Sequence, residues 1–325
     1  MRTLPPRKRP RPALLAAGAA ALAVAAALVL PQSAGAAETA PVGFGAGTTG
    51  GGSATAVTVT TLDAFKTAVT GDTSKVVKVS GLISLSGQVD VGSNTTVLGV
   101  GSASGFTGGG LRLKKVTNVV VRNLNISKPV APADGITVQA STKVWIDHNA
   151  FSSDLTHGKD YYDGLVDITH GSDYVTLSWN TFKDHYKGSL VGHSDSNASE
   201  DTGHLRVTYH HNWFNNVNSR IPSLRFGTGH FYDNYVVGAD TAVHSRMGAQ
   251  MLVENNVFRS TSVAVTTNRD SDVDGYANLT GNDLGGATTE ISQVGTFTKP
   301  PYSYTAEPAS TVVASVTSGA GTGKL

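Results

Sequence analysis

Six short segments of this chain share one template: VVVRNLNI, VWIDHNAF, VTLSWNTF, VTYHHNWF, HFYDNYVV and MLVENNVF. Aligned on the asparagine, they bring Asn123, Asn149, Asn180, Asn212, Asn234 and Asn256 into register at steps of 26, 31, 32, 22 and 22 residues. A unit of this length with one short strand and one turn residue cannot bury its apolar face alone and stacks on its neighbours as a solenoid. Period-2 alternation puts Val144, Ile146 and their counterparts on one face, so each coil packs against the next. An asparagine at the same corner of every coil can build a hydrogen-bonded ladder and tolerates left-handed backbone. A β-sandwich or a propeller with coincident endings is the competing topology, but steps of 22 residues are too short for a propeller blade of ~40. The expected fold is therefore all-β, a right-handed parallel β-helix. TLDAFKTAV (61–69) reads as a short amphipathic helix, with Leu62, Phe65 and Val69 on one stripe, capping the open end of the stack.

The N-terminus, MRTLPPRKRPRP, is basic and is followed by the apolar run ALLAAGAAALAVAAALVL and then Ser33-Ala34-Gly35-Ala36. This is the pattern of a secretory signal peptide over 1–36, leaving one catalytic domain over 37–325 and a secreted, extracellular protein. A membrane anchor is the alternative reading of the apolar run. The leader holds five of the 25 basic residues and none of the 24 acidic ones, leaving 20 against 24. A mildly acidic chain gives no reason to expect nucleic acid. With no cysteines, the exported chain must be held by burial and backbone pairing. Nothing in the pattern calls for an oligomer, and a monomer is expected.

The two long steps in the repeat matter most, because residues inserted into a solenoid become loops on the functional face. The first contains YYDGLVDITH. In an extended segment Asp163, Leu165 and Asp167 point one way and Val166 and Ile168 the other. Two outward carboxylates on one strand repel each other unless a cation lies between them, and Ca²⁺ accepts irregular carboxylate geometry. A pair of solvated surface acids is the bland alternative. Asp134, in APADGITV, lies 29 residues before Asp163, so stacking can bring it beside the pair, although Asp-Gly is also a turn signal. Lys187 falls in the second long step, and NSRIPSLRF on the next coil carries Arg220 and Arg225 around Pro222. An acidic cluster beside a basic one suits a polyanion whose carboxylates meet both a bound cation and fixed charges. No zinc spacing, GxSxG elbow or P-loop lysine occurs, and His148 reads as structural.

WIDHNAF, DGLVDITHGSDYVTLSWNTF, VTYHHNWFNNVNSRIPSLRFG and the closing PYSYT resemble the pectate lyases of polysaccharide lyase family 1, in their bacterial members. The likeness runs from about residue 42 to the C-terminus. It implies Ca²⁺-dependent β-elimination of polygalacturonate, leaving a 4,5-unsaturated sugar. Carried over by position, Asp134, Asp163 and Asp167 are the implied Ca²⁺ ligands, Arg220 the catalytic base, and Lys187 and Arg225 the residues that hold substrate carboxylates. Some relatives have a further acid two residues before Asp134 and a glutamate at the place of Asp163; here the former position is Pro132. Arginine is ordinarily protonated, so a base at Arg220 requires neighbouring positive charge and implies activity rising into alkaline pH. A pectin lyase on methyl-esterified polymer, a polygalacturonase-type hydrolase and a non-enzymatic polysaccharide-binding helix are the competing functions.

Overall fold

The computed structural model describes residues 1–4 and 37–325. The chain divides into a unit Met1–Ser33, of which only the first four residues are described, and a compact unit Ala34–Leu325. Apart from its first four residues, the expected leader, with its cleavage site, thus lies outside the described residues.

Ten parallel strands, one per coil, form a continuous sheet that runs from Ala56–Val59 through Thr117–Arg122, Thr142–Asp147, Asp173–Ser178 and Arg206–His210 to Tyr276–Thr280. The remaining strands form a second parallel array of 17. The all-β parallel β-helix expected from the repeat is present. Its core is one connected apolar cluster extending from Val59 to Ala287. Val144 and Ile146 point into it, fully buried as the alternation requires. Phe151, Phe182 and Phe214 occupy equivalent places and stack with ring centroids 4.9 and 4.5 Å apart. Each buried Phe, Leu or Val contributes roughly 1.5–3 kcal/mol.

The helix Leu62–Val69 caps the stack where the sequence places it, with Thr61 Oγ1 accepting from the Ala64 amide. Phe65 and Val69 are buried and Leu62 packs against the same cluster.

The asparagine ladder is also present, with one correction. Asn149 donates from its backbone and side chain to Asn180 Oδ1, Asn180 to Asn212, Asn212 to Asn234 and Asn234 to Asn256, all at 2.9–3.0 Å. The ladder continues to Asn282. Asn123, however, is not a rung: strand register pairs Arg122 with Asp147, so Leu124 stands opposite Asn149 and donates its amide to that side chain. The left-handed corner is likewise the residue before each rung: Asn123, His148, Trp179, His211, Asp233 and Asn255 all have φ between 51 and 57°.

The outer face of the ten-stranded sheet is covered as well, which simple alternation does not foresee. Trp145 and Asp147 are as buried as their inward neighbours. An N-terminal strap lies across the strands, with Phe44 and Gly45 amides donating to Thr208 and Thr176 side chains. The glycine-rich stretch at 43–52 serves this contact, since a Cβ on Gly51 would sit 2.0 Å from the Lys75 carbonyl oxygen. The C-terminal segment adds Tyr302, whose hydroxyl is 2.9 Å from Thr208 Oγ1, and the helix Ala309–Gly319, which packs near Trp213 and Val257. His148 is structural: it is buried, 2.7 Å from Asp147 Oδ2, and stacked on Trp179.

Candidate active site

The site is built on the second array, where the two insertions emerge. Asp134 precedes strand Ile136–Gln139, which pairs with Val166–Thr169 so that Thr137 faces Asp167. One Asp134 carboxylate oxygen accepts from Thr137 Oγ1 at 2.5 Å and the other from the Gly164 amide at 3.0 Å. Asp167 accepts from the Leu190 amide at 3.0 Å. Gly164 must lack a side chain, because a Cβ there would lie 2.3 Å from Asp167 Oδ1. One glycine therefore touches both carboxylates.

Both acids are nine-tenths buried and, among the described residues, neither forms an ion pair. Burial pushes Asp134 above the usual carboxylate range, and the charge of Asp167 pushes it further. Asp167 is raised by burial as well, against the pull of the Leu190 amide and Arg220. Two buried carboxyl groups on a shared glycine either keep their protons or take positive charge from elsewhere, and an all-oxygen donor set fits a hard cation such as Ca²⁺.

Asp163 differs from its expectation. It lies before the strand rather than on it, and Leu165 is fully buried instead of sharing an outward face with the two acids. The chain bends into the strand at Leu165 and breaks the alternation. The Asp163 carboxylate accepts from Lys187 Nζ at 3.2 Å. No three described carboxylates or histidines close on one point as a ready metal cage. Asp134 and Asp167 form the acidic pair, and Asp163 reaches them through its charge, which raises both.

The cations follow on the next coils. Lys187 ends strand Thr181–Lys187, is 5% exposed, and donates to Asp160 at 3.0 Å as well as to Asp163. Arg220 follows strand Trp213–Ser219 at a left-handed corner with φ 59°. Its carbonyl accepts from the Ser189 amide at 2.6 Å, and Gly188 leaves room for that approach. Among the described residues its half-buried guanidinium has no carboxylate partner. Arg225 lies in strand Ser223–Arg225, bonds Asp195, and donates from Nη1 to the Gly192 carbonyl at 2.7 Å. Between them the Ile221–Pro222 bond is cis.

Two further residues were not singled out in the sequence. His185 is 1% exposed, with Nε2 2.6 Å from the Asp163 carbonyl, and burial lowers it to about 4, so it is neutral and fixes the Asp163 backbone. Arg246 stands beside Arg225 in strand register. It is pulled down to about 10, by burial first and then by the charge of Arg225. The signal for Arg246 was available: it follows Arg225 by one coil length.

Comparison with known proteins shows the family. The pectate lyase family model matches residues 13–325. A probable pectate lyase A from Aspergillus fumigatus is 49% identical over 260 residues, covering 79% of each chain. Pectate lyase B from Colletotrichum gloeosporioides is 51% identical over 260 residues, 79% of this chain and 78% of the relative. Among solved structures, a pectate lyase from Bacillus sp. N165 in complex with trigalacturonate superposes with a TM-score of 0.81 at 33% identity, covering 87% of this chain and 99% of the other. A Xanthomonas campestris pectate lyase variant gives 0.76 at 31%, covering 87% and 98%. The fold and these relatives define a polysaccharide lyase. The chain belongs to the pectate lyase family, polysaccharide lyase family 1, with fungal as well as bacterial relatives.

Proposed function

We propose that this protein is a secreted, Ca²⁺-dependent lyase that cleaves α-1,4-linked polygalacturonate by β-elimination and leaves 4,5-unsaturated oligogalacturonates. One observation carries the reading: a buried carboxylate pair without an ion-pair partner among the described residues has one member, Asp167, within charge reach of Arg220, which has no carboxylate partner among the described residues either. The Bacillus relative solved with trigalacturonate supports the choice of substrate.

Asp134 and Asp167, with Asp163, would hold the cation. When bound there, Ca²⁺ neutralises the uronate carboxylate and acidifies the adjacent C5 proton. Arg220 receives that proton. The electron pair of the broken C5–H bond forms the C4–C5 double bond, and the glycosidic oxygen leaves from C4 with the C4–O pair and takes a proton from solvent. Lys187 and Arg225, fixed at strand ends, hold neighbouring carboxylates and keep the C5 hydrogen aligned with Arg220. Gly188 and the left-handed corner set how far Arg220 projects.

Incubation with polygalacturonate, followed by ultraviolet absorbance of the unsaturated product, tests the proposal directly. A rise abolished by chelator and restored by Ca²⁺ is expected. New reducing ends without absorbance would replace the lyase with a hydrolase. Absorbance only on methyl-esterified polymer, indifferent to chelator, would make it a pectin lyase.

A further inference from the structure

The two cations assigned to substrate carboxylates are already engaged by carboxylates in the free chain, each supplied by a different inserted loop. Asp160, between strands Ala150–Ser152 and Val166–Thr169, meets Lys187 Nζ at 3.0 Å. Asp195, between Leu190–Val191 and Arg206–His210, meets Arg225, with Ser271 beside it and the charge of Arg246 close enough to act on it.

These pairs are built unlike the structural ones. Asp147, which neutralises Arg122, is fully buried and also held by His148 and Ser178. By contrast Asp160 is 86% exposed and Lys187 is its recorded side-chain partner among the described residues, while Asp195 is 37% exposed. In each case the cation is sequestered and the anion lies on a loop in water.

We propose that Asp160 and Asp195 are stand-ins for substrate carboxylates: specificity-determining residues that neutralise Lys187 and Arg225 until galacturonate displaces them. This rests on the clamp roles given to Lys187 and Arg225 above. A buried cation without a counter-charge is costly: Arg225 has Asp195, and Lys187 divides its charge between Asp160 and Asp163, the second of which is proposed for the cation, leaving Asp160 as its loop partner. An exposed loop carboxylate regains its hydration when it leaves, so one carboxylate replaces another and the clamp stays neutralised. The exchange weakens ground-state binding of every uronate segment, including the product, and so favours release.

Steady-state kinetics of Asp160→Asn, Asp195→Asn and Asp160→Glu on polygalacturonate at saturating Ca²⁺ test this, with trigalacturonate as competing inhibitor and melting curves for each variant. Removing a competing carboxylate that is itself solvated should lower KM roughly two- to five-fold per site, because pairs with a solvent-exposed member are worth little. The inhibition constant should fall in parallel and kcat should not rise. Asp160→Glu, which keeps the carboxylate, should restore wild-type KM. An unchanged or higher KM in both asparagine variants, with melting intact, overturns the stand-in role. Absence of unsaturated product from the wild type overturns the parent reading instead. If Lys187→Ala raises KM while Asp160→Asn fails to lower it, the clamp stands and the stand-in alone falls.

Discussion

Gly164 and Gly188 have no chemistry of their own, yet they set the spacing of the site. The first admits the Asp167 carboxylate while donating to Asp134, and the second admits the Arg220 carbonyl. Arg220 then projects from a left-handed corner. Arg220→Lys keeps a positive charge but loses the planar fork and the proposed acceptor, so turnover should fall about 10²–10⁴-fold. Circular dichroism and melting should be unchanged; a variant retaining most of its kcat would contradict the assignment of the base. The six proposed site residues were legible in the sequence as types: Asp163, Asp167 and Lys187 in the two long steps, and Asp134, Arg220 and Arg225 on the coils to either side. The orientation of Asp163 was not, because it depends on Lys187, 24 residues later. Arg246 lacks the signal of a long step, because its coil has no insertion. His185 acts through a backbone carbonyl, a partner that no side-chain pattern announces.

At the scale of the element, the ladder carries as much information as the strands. Asn212 Oδ1 accepts two bonds from Asn180, and Asn212 itself donates to Asn234 and to the Leu177 carbonyl. Asn212→Ala leaves several buried donors and acceptors without partners, at about 1–3 kcal/mol each, and should lower the denaturant midpoint markedly with m unchanged. A neutral effect would mean that water replaces the rung. The repeat made this ladder readable, yet it misplaced Asn123 by one residue. The closing apolar residue is the better anchor: Ile126, Phe151, Phe182, Phe214, Val236 and Phe258 are true register partners, because they share the core. An inward phenylalanine has a single place to go, whereas an asparagine serves equally as rung or corner. The straps were not legible as straps. Contacts such as Phe44 to Thr208 and Gly45 to Thr176 span more than 100 residues, and a glycine-rich segment shows no period from which a partner can be inferred.

Across the whole molecule, the titrating groups oppose each other. Asp134 and Asp167 are raised chiefly by burial, and Asp233, on the other sheet under the C-terminal segment, is pushed up to about 8 by burial despite the Glu307 amide. The folded chain keeps protons that the unfolded chain has lost, so this stability is present below the ordinary aspartate value near 4 and is lost as pH rises through the folded values. His185 and His244, both lowered to about 4 by burial, act oppositely. Their stabilising contribution grows from about pH 4 and levels off near the ordinary histidine value of about 6.5. Above that only the carboxylate loss remains. In chelator, stability should therefore fall between about pH 6.5 and pH 8, the value to which Asp134 and Asp233 are raised, by up to about 1.4 kcal/mol per pH unit for each group still titrating, read as a falling Tm that levels off above pH 8. Added Ca²⁺ should restore the share owed to Asp134 and Asp167 and leave that of Asp233. A chelated melt flat over this range would contradict the assignment.

The last residues of the chain do more than finish the stack. The Gly323 amide donates to Asn123 Oδ1 and Thr322 Oγ1 to the Ser102 carbonyl, across 200 and 220 residues of sequence. An open solenoid can fray coil by coil from either tip, because each unit is coupled only to its neighbours. Here the tail runs back along the column and fastens to its early coils, so late and early parts share bonds that must break together. The column is in effect a buckled belt, and its opening couples parts of the chain that the coil-to-coil contacts alone keep far apart.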